Sequence, residues 1–145
     1  MKRNELSTYL DILYEESRKA SEKGEIPVSA VLVFPDDTYL VDSNQVEDRN
    51  DPFSHAEFNV IQRGMKKLNS RYLPDCILII NLEPCLFCLG AIMKSGIKDI
   101  YYVLDDDKLG SLSHYHAFVD DRLHVHRIED DRFKPVLDDF FKKIR

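Results

Sequence analysis

The sequence predicts an α/β domain of three layers, with helices on both faces of a central mixed sheet of about five strands. Three observations carry that prediction. Residues 28–34 (VSAVLVF) and 76–80 (CILII) are short, apolar and rich in β-branched side chains, as expected of strands covered on both faces. Segments of helical periodicity alternate with such runs. Pro84 and Gly96 bracket one of those segments, which is the Pro-early, Gly-late asymmetry of an α-helix.

The elements follow in order. Residues 4–23 place Leu6, Leu10, Leu13, Ser17 and Ala20 at helical spacing, with charges between them, and Gly24 is a suitable stop. The strand at 28–34 is turned by Pro35-Asp36-Asp37 and returned by 39–43, which reads as a hairpin. A polar loop over 44–52 leads to a helix over 54–67. The strand at 76–80 is followed by the helix from Pro84 to Ser95, then by a strand over 99–104. Residues 105–121 read as a long polar loop, 123–128 as a short strand, and 133–144 as an amphipathic helix with Pro135 in its first turn. The resulting order is α-β-β-α-β-α-β-β-α, in which helix N-termini fall at strand ends, where sites usually form.

The 145 residues are expected to fold as one domain, 1–145. A 43% apolar share, with eight Phe and seven Tyr, is enough for a sizeable core and too much for a disordered chain. No apolar run approaches the roughly 20 residues of a membrane-spanning helix. The first residues carry charges in place of an apolar signal segment, so a cytoplasmic protein without a membrane partner is expected. Three cysteines are an odd number, and Cys85 and Cys88 lie three apart; in a reducing compartment that spacing reads as metal or redox chemistry.

The residues that carry chemistry are His55-Ala56-Glu57 and Pro84-Cys85-Leu86-Phe87-Cys88, both at predicted helix N-termini. One imidazole and two thiolates leave a tetrahedral zinc site one open position, which is the catalytic and not the structural arrangement. A helix N-terminus favours thiolate over thiol, and two cysteines one turn apart present both sulfurs to one ion. Glu57 stands two residues past His55, free to face a water on the metal and carry its proton. Hydrolytic removal of an amine from a conjugated ring needs those parts: a hydroxide for the amidine carbon, and a carboxyl that protonates the ring nitrogen and the leaving ammonia.

The H-x-E…P-C-x-x-C pattern is the signature of zinc nucleobase deaminases. The chain resembles the cytidine/deoxycytidylate deaminase superfamily and, within it, the bacterial tRNA adenosine deaminases. The likeness runs from residues 24–28 (GEIPV) through Asn44, 51–57 (DPFSHAE), 82–91 (LEPCLFCLGA) and 107–111 (DKLGS) to the tail 139–145. It implies a cytidine-deaminase-like fold, Zn2+ held by His55, Cys85 and Cys88, and Glu57 as proton shuttle. It also implies that Asn44 hydrogen-bonds the target base and that the Glu83–Pro84 peptide region lies beside the metal and takes a hydrogen bond from the departing amine. A homodimer is the family's usual state. Ser29 stands where such proteins usually carry a glycine, and Phe87 replaces the usual residue between the cysteines.

The resemblance implies deamination of the tRNA wobble adenosine to inosine. The charge balance keeps a second substrate class open, because Lys plus Arg number 20 against 26 Asp plus Glu, a net charge of −6. Proteins that grip RNA neutralise phosphates with basic residues. Here Glu47, Asp48, Asp51 and Asp105–Asp107 crowd the loops beside the motifs, and only the tail 142–145 is compactly basic. A free base or nucleoside is therefore the alternative substrate, and a non-catalytic, zinc-stabilised subunit the third reading. Cys76 is expected in the core, His114 and His116 in a solvated or pocket-lining loop, and His124 and His126 on an exposed sheet face. Phe140 and Phe141 are expected to pack on the core, although the resemblance implies some role of the tail in substrate contact, and the Asp105–Asp107 run is expected to be solvated.

Overall fold

A computed structural model describes residues 1–144, so Arg145 of the basic tail lies outside the described residues. Six helices and five strands follow one another as α1 (Arg3–Glu22), β1 (Ser29–Val33), β2 (Tyr39–Ser43), α2 (Val46–Arg49), α3 (Ala56–Leu68), β3 (Ile77–Leu82), α4 (Leu86–Ser95), β4 (Asp99–Leu104), α5 (Ser111–His114), β5 (His124–Arg127) and α6 (Phe133–Lys143). The strands form one mixed sheet in the order β2-β1-β3-β4-β5. β1 is antiparallel to both β2 and β3, whereas β3–β4 and β4–β5 are parallel. Four strands thus share one direction, and the C-terminal ends of β2, β3 and β4 come to the same edge of the sheet.

The two apolar strand runs are explained by the layers above and below them. Alternate side chains of a strand point to opposite faces. Ala30, Leu32, Leu78 and Ile80 pack with Ala56, Val60 and Ile61 of α3 and Leu89 and Ile92 of α4. Val31, Val33 and Ile79 point the other way, onto Tyr9, Leu10 and Leu13 of α1 and Phe133 of α6. Both faces need apolar residues, so the alternation disappears from the sequence. Gly64 lets α3 lie close to β1, because a Cβ there would stand 2.4 Å from the Leu32 side chain.

Ser29 does not leave a hole or an orphan where a smaller residue would fit. Asn81 Nδ2 donates to Ser17 Oγ (3.1 Å), Ser17 and Ser29 hydroxyls bond at 2.7 Å, and Ser29 Oγ donates to the Leu13 carbonyl (2.8 Å). Asn81 also accepts from the Ser29 N–H and donates to the Pro27 carbonyl. This chain of buried donors and acceptors ties α1 to β1 and β3.

Several expectations need correction. The loop over 44–52 contains the short helix α2, and the loop over 105–121 contains α5 and a 3-10 turn at His116–Phe118. Neither piece carries an apolar period, since each is one turn held by tertiary bonds. The helix expected from residue 54 begins at Ala56, with Ser54 taken up by Asn59 and by the Gln45 N–H. β5 is exposed at every position, as befits an edge strand. His126 stacks on Tyr101 at 4.4 Å there. Cys76 and Phe140 are buried in the core, whereas Phe141 is half-exposed. Among the described residues no helix is long and apolar enough to cross a membrane.

Candidate active site

The site lies where β2, β3 and β4 end. The chain leaves β2 at Ser43, passes Asn44 and α2, and enters α3 with His55 as its N-cap residue in extended conformation (φ −76°, ψ 151°). It leaves β3 at Leu82 and enters α4 with Cys85 as N-cap (φ −71°, ψ 172°). Since α3 and α4 pack side by side on the same face of the sheet, their N-termini are adjacent. Cys88 is the third residue of α4, so its sulfur returns to the N-cap end of the first turn.

His55 Nδ1 lies 3.7 Å from Cys85 Sγ and 3.4 Å from Cys88 Sγ. The three ligand atoms all lie within 4.8 Å of one another. Bonds of about 2.1 Å to nitrogen and 2.3 Å to sulfur at a tetrahedral angle would separate N and S by about 3.6 Å. The donor set therefore fits zinc in kind and in spacing. Glu57 falls outside this ligand group.

Electrostatics at the cluster follow from burial and proximity. Cys85 is held down to about 4, first by the hydrogen bond from Cys88 and then by His55 and the Cys88 N–H, which together favour its thiolate. Cys88, fully buried, is pushed well above the ordinary thiol range by that same bond and by burial. In the metal-free pair the bond from Cys88 thus favours the thiolate form of Cys85. His55 is raised by its bond to that thiolate. Glu57, only 4% exposed, is raised chiefly by burial. The Phe87 ring meets the His55 imidazole edge-on at 6.0 Å and packs with Phe53 and Phe58, which fixes the ring's orientation.

A cleft of about 750 Å³ opens over this cluster. His55, Cys85, Glu57 and Asn44 form its floor. Asn44 is buried; its Oδ1 accepts from the Ala56 N–H at 2.9 Å, which leaves Nδ2 as the donor it can offer a substrate. One wall is the loop from Asp105 to Leu109, and the other is α6, through Lys134, Leu137 and Phe141.

Glu83 and Pro84 both bond to the segment that follows β4. The Glu83 carboxylate turns from the metal cluster to the loop at Asp106 and Ser113. The Pro84 carbonyl already accepts from the Ser111 N–H (2.9 Å) and Oγ (2.6 Å). The run of aspartates is solvated in part, with Asp105 accepting from the Tyr102 hydroxyl and paired with Arg127. His114 bonds the Asp107 carbonyl, and neither it nor His116 joins a metal-ligand group among the described residues. The residues by themselves did not reveal the α6 wall, for which only the resemblance implied a role of the tail, and the loop anchors were missed. Phe141 and Leu137 differ in no local way from core residues, whereas Gly110 four residues past Asp106 was a visible hint of a close approach.

The MafB19-like deaminase model matches residues 4–145. The chain belongs to the MafB19-like deaminase family. The protein is thus a deaminase of the cytidine-deaminase-like fold, and its chemistry is hydrolysis of an amidine C–N bond. It is 32% identical over 142 residues to a tRNA-specific adenosine deaminase of Aquifex aeolicus, covering 94% of each chain. It is 29% identical over 143 residues to a Bacillus subtilis protein of the same name, covering 94% of this chain and 89% of that one. A structure from work on tRNA:A34 deaminases and A-to-I editing superposes with TM-score 0.74 at 29% identity, over 83% of this deaminase and 91% of that chain. A guanine deaminase from Bacillus subtilis superposes with TM-score 0.67 at 25% identity, over 99% and 94%.

Proposed function

We propose that this deaminase converts the wobble adenosine of tRNA to inosine, as a single domain that uses Zn2+ held by His55 Nδ1, Cys85 and Cys88. The observation that carries this reading is the convergence of those three ligands beside the buried carboxyl of Glu57 on the floor of one cleft. Zinc bound there would supply the charge that acidifies water to near neutral pKa. The remaining work falls to the chain. Glu57, buried beside the ligands, is suited to take a proton from the attacking water and give it to the ring nitrogen, and then to relay the water's second proton to the leaving amine. Asn44 Nδ2 would orient the base, and Glu83 borders the same cleft. A volume of about 750 Å³ admits more than one base, so the flipped nucleoside can enter with part of its neighbours.

The acidic cleft wall, Asp105 to Asp107 with Asp138 against Lys108 and Lys134, favours a second reading in which a free base is the substrate. A homodimer is part of the proposal; exposed Phe53, Leu86 and Phe87 beside the site support it, and sedimentation velocity tests it.

Zinc-loaded protein should be incubated with anticodon stem-loop RNA, free bases and nucleosides, with ammonia release and product mass as readouts. Deamination of the RNA, lost by a hundredfold or more in Glu57→Gln with zinc retained, is the expected result. Turnover of a free base alone would transfer the protein to the second reading. Near-normal activity of Glu57→Gln would remove Glu57 from the proton-carrying role.

A further inference from the structure

We propose that Glu83 is a positioning residue that holds the loop from Asp105 to Ser113, whose part from Asp105 to Leu109 is one wall of the substrate cleft, in the shape the substrate meets. The proposal rests on the cleft being the substrate site. Glu83 is 2% exposed. One carboxylate oxygen accepts from the Asp106 N–H at 3.0 Å, and the other accepts from the Ser113 N–H at 2.7 Å. The Ser113 hydroxyl lies 2.9 Å from both oxygens and donates to the pair. The donors come from the two ends of the loop, so a single carboxylate closes it.

Two further features show that the loop is built around this group. A Cβ on Gly110 would stand 2.3 Å from the Glu83 carboxyl carbon and 2.5 Å from the Asp106 carbonyl, so the backbone passes over the carboxylate where only glycine fits. Asp106 Oδ1 in turn accepts from the Lys108 and Leu109 N–H groups, carrying the order outward to the tip that borders the cleft. No lysine or arginine pairs with Glu83 among the described residues, and its satisfaction comes from loop donors alone. A buried carboxylate is costly unless fully hydrogen-bonded. Such a group fixes the loop strongly, because opening the loop would strand it. Glu25 repeats the device across the site, where its buried carboxylate accepts from the Glu47 and Asp48 N–H groups and holds α2 after Asn44. Its loop does not line the cleft beyond Asn44, which leaves Glu83 as the anchor with a direct effect on substrate.

The test uses the zinc-loaded full chain as wild type, Glu83→Gln and Ser113→Ala. An amide in place of the carboxylate keeps one acceptor and faces the other donors with its own N–H groups, and Ser113→Ala removes only the hydroxyl. Backbone hydrogen exchange over residues 105–114 should quicken about tenfold or more in Glu83→Gln, and less in Ser113→Ala. KM for the substrate turned over should rise about tenfold, with a far smaller change in kcat and full zinc content. Unchanged loop exchange, a fall in kcat at constant KM, or loss of zinc from a folded Glu83→Gln would each overturn the proposal. If Glu83→Gln does not fold, Ser113→Ala decides by the same two readouts. Should wild type be inert towards RNA, the wobble reading fails by itself, while loop exchange and KM for the free base still judge the role of Glu83.

Discussion

Asn44 offers the sharpest separation of scaffold from chemistry. Its Oδ1 accepts from the Ala56 N–H at 2.9 Å, one of the first-turn donors of the helix that carries His55 and Glu57, and Ala56 is fully buried. Asn44→Ala strands that N–H, at about 1–3 kcal/mol. Asn44→Asp keeps an acceptor in place, in a position where the helix N-terminus favours negative charge, but removes the Nδ2 donor. The two variants should therefore part company. Asn44→Asp should melt within about 1 kcal/mol of wild type, retain zinc, and lose about 10–100-fold in kcat/KM, as one substrate hydrogen bond is replaced by a repulsive contact. Asn44→Ala should show the same catalytic loss together with the lower melting temperature. The assays are calorimetry, zinc stoichiometry and steady-state ammonia release. Wild-type kcat/KM in Asn44→Asp would refute the base contact and leave Asn44 as an anchor of α3 alone.

Asn81→Ala orphans the Ser29 N–H and the Pro27 carbonyl and should cost about 2–5 kcal/mol of stability, read by denaturant titration, with the zinc ligands still in place. In chelator-treated protein, Cys85 is expected as the thiolate near neutral pH, its thiol being held down to about 4 by the bond from Cys88. It should alkylate rapidly at pH 6–7, as followed by peptide mass spectrometry. Cys76, buried and with its thiol pushed up by burial, should react only on unfolding, and zinc should protect Cys85. Asp130 lies below the ordinary carboxylate range because of its bond to Arg132, which also reaches Asp11. A depressed carboxylate contributes stability that is present above its unfolded value and lost as pH falls through the folded one. Asp130→Asn should thus cost up to about 1 kcal/mol near neutrality, and the gap from wild type should close below about pH 4, measured by chemical denaturation across pH.

Much of the site was legible in the sequence because its parts are local. A His and a Cys, each capping a helix after a strand, declare their position through the neighbouring Pro84, the apolar period of α3 and α4, and the β-branched runs before them. The pattern of residues 28–34 likewise declared a strand covered on both faces, and the hairpin with 39–43 followed from its turn. Of the pieces that escaped, α2 and α5 are single turns held by bonds to Glu25, Glu83 and Pro84 far along the chain, and the 3-10 turn is closed by backbone bonds to the Tyr115 and His116 carbonyls.

By itself, then, the sequence indicated the layers and the two motifs, His55 with Glu57 and Cys85 with Cys88, since each motif is specified by residues within one turn of one another. Only the tertiary structure decided that Phe141 faces the cleft while Phe140 enters the core, that the motif carboxylate of Glu83 serves a loop and not the metal, and that Ser29 is satisfied by Ser17 and Asn81. Those outcomes depend on which element packs against which. Burial and pairing are fixed when distant segments meet, and no single segment carries that information.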